Sequence, residues 1–252
     1  SGYFFAGTGA IGNPFLISTP AELAKLSEII KDGSDSATYN TNAVHYRMTR
    51  DIDLSPYQTG EGWMPIGSDS AGFSGSFDGG GYAVRGLYIN RESTHQGLFG
   101  KVNAGAKVEN LGLVAADITG YGKSGGIAGE LLGEVKNCYS TGRVQSDYEY
   151  NSEYIGGIAG FAHGAAVVQS CYSLANVSGK EHIGGVVGDL GYVVTDEGTS
   201  TVKNCYAAGR VAGTGVRVGG VVGIVGSWSV VENCYATGAV SGRNYVGGIA
   251  GT

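Results

Sequence analysis

Proline is scarce in this chain, 4 of 252 residues, and tryptophan and methionine are scarcer, 2 each. That scarcity argues against a disordered or polyproline chain. Basic residues are also few: 16 Lys and Arg against 22 Asp and Glu leave a net charge of −6. That balance argues against nucleic acid as a partner, because such binding needs a basic surface that displaces counterions. No apolar run reaches the roughly 18 residues a spanning helix needs, so no membrane insertion is expected. No signal peptide precedes the first strand. Ser1-Gly2 reads as a tag-cleavage remnant, so a signal or anchor would have been cut away.

What is abundant is glycine, at 47 residues, beside an apolar fraction of 42%. Disorder would leave those glycines without phase, but here they keep register with Val, Ile and Cys. Gly-apolar-apolar-Gly starts at Gly97, Gly126, Gly157, Gly185, Gly220 and Gly248, at intervals of 29, 31, 28, 35 and 28 residues. A second phrase, Asn-Cys-Tyr-Ser-Thr-Gly-Arg-Val, returns around Cys138, Cys171, Cys205 and Cys234. Such a period marks a repeat architecture.

Successive strand side chains point to opposite faces. In the second phrase one face is Cys138, Ser140, Gly142 and Val144, repeated as Cys171, Ser173, Ala175, Val177 and onward. The other face carries Arg143, Asn176, Arg210 and Ala239 in one column, so it is the wet side. Tyr139, Tyr172, Tyr206 and Tyr235 therefore face outward. Asn110, Asn137, Ser170, Asn204 and Asn233 stand just before the strand, where a left-handed turn suits Asn. Val108, Val135, Val168, Val202 and Val231 make another inward row. An extra residue before Ile118 predicts a bulge. About three short strands per coil are expected, stacked in parallel and in register. The fold class is all-β, a right-handed parallel β-helix of roughly 28-residue coils. A β-propeller is the rival, but its blades need about 40 residues.

The N-terminal part is less periodic. Pro14 to Ile17 reads as a strand, and Ser18-Thr19-Pro20-Ala21-Glu22 carries a capping box with Pro at the first helical position. Leu23, Leu26, Ile29 and Ile30 give that helix one apolar stripe, and Asp32-Gly33 ends it. It is the single helix expected, a cap over the end of the stack. Gly33 to Asn42 reads as a polar loop, followed by strands near Val44 to Leu54 and Phe73 to Gly81. Residues 1–90 thus form a capping region with the first coil, and 91–252 the repeats, as one continuous domain. The repeats stop mid-coil at Gly251-Thr252, which reads as truncation.

Gly97-Leu98-Phe99-Gly100, Val-x-Asn-Leu-Gly-Leu and Gly-Gly-Ile-Ala-Gly with Asn-Cys-Tyr-Ser together resemble the GLUG-motif repeat of bacterial surface and secreted proteins. The lead-in fits as well, with Asp51-Ile52-Asp53-Leu54-Ser55, Trp63-Met64-Pro65-Ile66-Gly67 and Phe73-Ser74-Gly75-Ser76-Phe77-Asp78-Gly79. The resemblance implies adhesin-like proteins or accessory modules of large secreted enzymes, including immunoglobulin A-cleaving metallopeptidases. No peptidase or glycosidase domain accompanies the repeat here.

Catalytic chemistry is hard to assemble. Parallel rungs lie about 4.8 Å apart, whereas a disulfide wants Cβ atoms about 3.8 Å apart, so the four Cys read as a ladder of free thiols. Four scattered histidines (His45, His95, His163, His182) lack metal-ligand spacing, and no metal or cofactor is expected. Asp51, Asp53, Asp69 and Asp78 could pair as acid and base, but their places in strands and Gly-rich turns favour structural roles. The inserted loops 147–153 and 191–200 hold Asp147, Glu149, Glu153, Asp196 and Glu197, a weak Ca²⁺ candidate. Two outward columns remain as candidate ligand sites. One is the Tyr139, Tyr172, Tyr206, Tyr235 ladder, suited to sugar rings or extended polymers, or simply to strand propensity. The other, just ahead of each glycine phrase, is His95, Lys123, Tyr154, His182, Arg217 and Tyr245, all aromatic or potentially cationic.

The expected function is therefore a non-catalytic, secreted or cell-surface bacterial module for adhesion or ligand binding. A glycan or an extracellular host protein is the expected partner. A structural stalk, an accessory module of a secreted enzyme, and a polysaccharide lyase or hydrolase are the alternatives. A monomer is expected, with end-to-end contacts open at the last coil. Gly185→Leu should destabilise the stack through overpacking.

Overall fold

The computed structural model describes residues 4–33, 35–148, 152–191 and 198–252. Among these, parallel strands stack into the four sheets of a β-solenoid. Each full coil visits the sheets in one order, as Glu134–Lys136, Tyr139–Gln145, Glu153–Gly156 and Ala159–Ala162 show. We call the corresponding sheets the long, tyrosine, glycine and fourth faces. Four faces replace the three strands per coil expected from the sequence. The phrase Gly-Gly-apolar-Ala-Gly looks like one strand, but its first glycines close the glycine face and its tail opens the fourth.

Pairing is in register from rung to rung. On the long face Val108, Val135, Val168, Val202 and Val231 are consecutive partners, and the first four are fully buried. Each such side chain contributes about 1.5–3 kcal/mol relative to exposure, which offsets the backbone ordering of only one or two residues at about 1–2 kcal/mol each, so the other inward columns must supply the rest. The tyrosine face repeats the inward set Cys, Ser or Ala, and Val. Gly142 departs from it. It is exposed, with φ 107, because the register shifts there. Its partner strand carries the extra residue, with Ala115 at φ 55 and its N–H donating to Thr141 Oγ1 at 2.9 Å.

The interior is tight where the glycine face meets the tyrosine face. A Cβ on Gly157 would lie 2.1 Å from Ser173 Oγ and 2.3 Å from Gly185 O, and one on Gly185 would lie 2.5 Å from Ala207 Cβ and 2.2 Å from Gly220 O. Only hydrogen fits there. The serines at this waist are not wasted polarity, since Ser140 Oγ lies 2.6 Å from Gly157 O.

The N-terminal end is built differently. Helix α1 (Pro20–Asp32) has the predicted capping box, with Thr19 Oγ1 accepting from Glu22 N, and Gly33 ends it at φ 68. Leu23, Leu26, Ile29 and Ile30 are buried in the same core as Phe15, Tyr46 and Trp63. The expected polar loop after α1 is partly helical instead. A single turn, α2 (Ser36–Tyr39), buries Tyr39, whose carbonyl accepts from Tyr46 Oη at 2.6 Å.

Candidate functional site

The tyrosine column forms a continuous ring stack. Tyr139–Tyr172, Tyr172–Tyr206 and Tyr206–Tyr235 have centroids 5.0, 4.9 and 5.1 Å apart and planes within 5°. Identical side chains on in-register parallel rungs stack because the rung spacing nearly equals the ring spacing. Gly112 continues the column on the preceding rung, and a Cβ there would meet the Tyr139 ring at 2.4 Å. Tyr139, Tyr172 and Tyr206 are half-buried and Tyr235 is 53% exposed. The stacking has a chemical consequence: the inner rings cover one another's π-faces. What the ladder offers along its length is ring edges and hydroxyls, one per rung. The Tyr172 hydroxyl is held protonated, its pKa raised by burial and by Tyr139 and Tyr206.

The second column has a backbone cause. His95, Lys123, Tyr154, His182, Arg217 and Tyr245 all have φ between 53 and 63, left-handed backbone in every coil. For a side chain of this size that conformation costs about 1–2 kcal/mol per residue. The second glycine of the next phrase makes room for it: a Cβ on Gly188 would lie 2.7 Å from His182 O, and one on Gly160 2.5 Å from Tyr154 O.

Nor is this column a free surface row. His95 and His182 are 8% and 5% exposed, while Tyr245 is 60% exposed. The side chains turn toward Lys101, Glu130, Phe161 and Asp189, which are register partners on the fourth face. Glu130, 4% exposed, receives His95 Nε2 at 2.9 Å, His163 Nε2 at 2.9 Å and Lys123 Nζ at 3.0 Å. Burial opposes its charge, but hydrogen bonds from His163, His95 and Lys123 outweigh it and hold the carboxyl well below the usual range. Asp189 faces His182 Nδ1 at 2.9 Å, and Arg217 Nη1 lies 3.2 Å from His182 Nε2. A guanidinium can only donate, so Nε2 accepts and the proton sits on Nδ1. Tyr154 packs against His182 and Phe161. Its hydroxyl is pushed up to about 12 by burial and by Glu153 and Asp189.

Glu130, Asp189, Lys101 and His163 are thus site residues that sequence reasoning missed. The available signal was their common place directly after Gly-apolar-apolar-Gly, where an ionisable side chain interrupts an apolar run, and His163 two residues further on.

Asp69, His95 and Glu130 bring one ligand atom each within 4.8 Å of one another. Lys101 Nζ, however, stands 3.2 Å from Asp69 Oδ1 and 3.4 Å from Glu130 Oε2. An ammonium holds the position a divalent ion would take, so the donor set fits a salt-bridge network and not a metal centre. The other aspartates are engaged locally: Asp51 with Ala83 N and Arg85, Asp53 with Ser55 N, and Asp78 with Gly80 N and Asn110 Nδ2. Of the loop carboxylates, Asp147 accepts from Gln145 Nε2 at 3.0 Å, and Glu149, Asp196 and Glu197 lie outside the described residues. The four cysteines are free. Cys171 Sγ accepts from Cys138 N at 3.5 Å and Cys205 Sγ from Cys171 N at 3.4 Å. Cys205 is pushed up to about 12, mainly by its contact with Cys171, so it stays an unreactive thiol.

Stacked columns on all four faces and a backbone-fixed left-handed row define the class, a parallel β-solenoid repeat. Residues 214–241 match the model of the GLUG motif, and the chain carries that repeat. It is 33% identical over 250 residues, 87% of its length, to halomucin of Haloquadratum walsbyi. It is 34% identical over 143 residues, 54% of its length, to a protein of Evansella cellulosilytica named as a Gly-rich membrane protein. The chain spans only 3% and 15% of the lengths of these relatives. A crystal structure from Bacteroides ovatus, assigned as an immunoglobulin A1 protease, superposes with a TM-score of 0.60 at 20% identity. The match covers 94% of this chain and 79% of that one, a likeness of fold alone. No helix among the described residues is long and apolar enough to cross a membrane.

Proposed function

We propose that the chain is a non-catalytic module of a secreted or cell-surface protein that binds an extended ligand, carbohydrate being the class its surface suits. One observation carries this reading: the single-file tyrosine stack, with a ring edge and a hydroxyl on each rung about 5 Å from the next. An extended chain of sugars has apolar C–H faces and a rim of hydroxyls on a similar repeat, and rigid aromatic groups bind with little entropy loss. The relatives' names, halomucin and a Gly-rich membrane protein, support a place at the cell surface. The test is a screen of glycans and extracellular host proteins against the purified chain, followed by Tyr172→Ala and Tyr206→Ala. Binding should fall about tenfold or more, while the melting temperature changes little. Unchanged binding in the double variant would remove the ladder as the site, and turnover of a polysaccharide would replace the reading with an enzymatic one.

A second reading, a spacer within a longer surface protein, is favoured by one fact. The relatives extend far beyond the matched region. No ligand in the screen, together with unaltered surface display when neighbouring coils are deleted in register, would support it.

A further inference from the structure

One outward column of the tyrosine face, Asp117, Arg143, Asn176, Arg210 and Ala239, repeats unevenly from rung to rung. Asp117 and Arg143 are register partners, and the guanidinium meets the carboxylate through two nitrogens, Nη2 to Oδ2 at 3.0 Å and Nε to Oδ1. Two rungs on, the arginine returns without its acid. The partner between Arg143 and Arg210 is Asn176, and its Oδ1 accepts from Arg210 N at 3.0 Å. Ala239 follows on the next rung. Arg210 is exposed, and its guanidinium has no partner among the described residues. It is a copy of Arg143 that presents the same bidentate fork without the carboxylate.

The surroundings leave that charge uncompensated. The chain carries a net charge of −6, yet residues 198–252 hold Lys203, Arg210, Arg217 and Arg243 against one carboxylate, Glu232. Lys203 and Glu232 are register partners on the long face, and Arg217 is turned to His182. On the tyrosine face no acid occurs in residues 171–179, 205–214 or 234–243. A cleft of about 620 Å³ opens beside Arg210, with Lys180 in its lining and hydroxyls from Ser178, Thr214 and Ser241. The one carboxylate described in that lining is Asp147. It accepts from Gln145 Nε2 at 3.0 Å, and the rung of Gln145 lies two rungs, about 10 Å, from that of Arg210. Tyr206 stands four residues before Arg210 on the same sheet, so a ligand lying on the ladder reaches the guanidinium without leaving the face.

This arrangement selects among ligand classes. A divalent cation would meet Lys180 and Arg210 with only Asp147 to attract it. A neutral sugar would leave the guanidinium without a counter-charge. A planar carboxylate fits the fork as Asp117 fits that of Arg143, and the hydroxyls beside it meet those of the serines and Thr214.

We infer that the tyrosine face binds an acidic glycan, one uronate carboxylate of which pairs with the Arg210 guanidinium beside the Lys180 cleft. The inference rests on the proposed role as a carbohydrate-binding surface module and narrows its ligand to polyuronates. Calorimetric titration of the full chain uses polygalacturonate, its fully methyl-esterified form and dextran sulfate as probes, without divalent cations. Polygalacturonate should bind, and the ester, the same backbone without charge, should bind about tenfold or more weaker. Arg210→Gln should weaken polygalacturonate about tenfold and leave the ester unchanged. Arg210→Lys should recover only part of that loss, because an ammonium lacks the fork. Lys203→Gln, which removes a cation from another face, should change nothing. Equal binding of acid and ester would overturn the inference and leave the tyrosine ladder standing. Undiminished binding in Arg210→Gln would overturn it, and so would an equal loss in Lys203→Gln, which would reveal attraction to charge in general. Loss of polygalacturonate in Arg210→Gln but not in the double variant Tyr172→Ala, Tyr206→Ala would keep the acidic site and remove the ladder. Binding of dextran sulfate alone, or of no probe, overturns the inference.

Discussion

Between Phe5 and Phe99 the interior is a cluster of large rings. Phe5, Phe15, Tyr46, Phe73, Phe77 and Phe99 meet at centroid distances of 5.2 to 6.1 Å and at angles from 40° to 90°. Between Gly126 and Gly220 the interior is filled by Gly against Ser or Ala, with Val, Ile and Cys in straight columns. Both regions are parallel rungs, and both are dry. The aromatic end packs rings of differing orientation against one another and against the apolar stripe of α1. The coils reuse one cross-section, so every side chain must also fit its own copy one rung away. Removal of volume should therefore injure the first region most, and addition of volume the second.

Phe77→Ala tests the first half of that contrast. Phe77 is fully buried, with Phe99 5.4 Å away, and its truncation should cost about 3–5 kcal/mol. Urea unfolding followed by hydrogen exchange should show protection lost around Tyr46 and Val108 and retained around Val202. A cost below about 1 kcal/mol would mean that the aromatic end collapses into the space, and the contrast would fail.

Gly185→Leu tests the other half. The new Cβ would lie 2.2 Å from Gly220 O and 2.5 Å from Ala207 Cβ, backbone on one side and a packed methyl on the other. A cost of about 3 kcal/mol or more is expected, with protection lost in the coils on either side of residue 185. Because stability in a stack is a sum of nearest-neighbour terms, the aromatic end should keep its protection. Wild-type stability would show that the waist can widen.

Glu130→Gln comes next, at about 2 kcal/mol, because it leaves Lys123 and the two histidines without their shared acceptor charge. The folded pKa of Glu130 lies below its unfolded value, so its contribution is present above the unfolded value of about 4.3 and fades as pH falls below it. Melting temperature plotted against pH should drop on the acid side for the wild type and flatten for the variant. Parallel curves would mean that Glu130 is not the group responsible.

Much of this was legible in the chain, for a reason that applies to columns. Alternation separates inward Cys138, Ser140 and Val144 from outward Tyr139 because the strand period is 2, and stacking copies each position without rotation. The capping box of α1 is legible because it is local, Thr19 to Glu22. The salt-bridge network was not. Glu130 meets His95 35 residues upstream and His163 33 residues downstream, and those contacts depend on how the glycine and fourth faces meet. The second column was visible as a set of side chains, yet its cause, left-handed backbone at every member, was not. Asn reveals such a position by its type, whereas His, Lys and Tyr conceal it.

The smallest effect separates those two left-handed rows. Asn110, Asn137, Ser170, Asn204 and Asn233 have φ between 51 and 54, with Asn233 Nδ2 donating to Asn204 Oδ1 at 3.2 Å. Asn tolerates this backbone and Gly adopts it freely, whereas Ala has a Cβ that clashes and no amide to compensate. Asn204→Gly should stay within about 0.5 kcal/mol of the wild type, and Asn204→Ala should cost about 1 kcal/mol. At Arg217 the glycine substitution should not be neutral. Gly there relieves the same backbone strain but loses the contact with His182 at 3.2 Å, so Arg217→Gly should cost more than Asn204→Gly in the same urea titration. If both rows respond alike, the second column is held by its backbone turn and not by the contacts of its side chains.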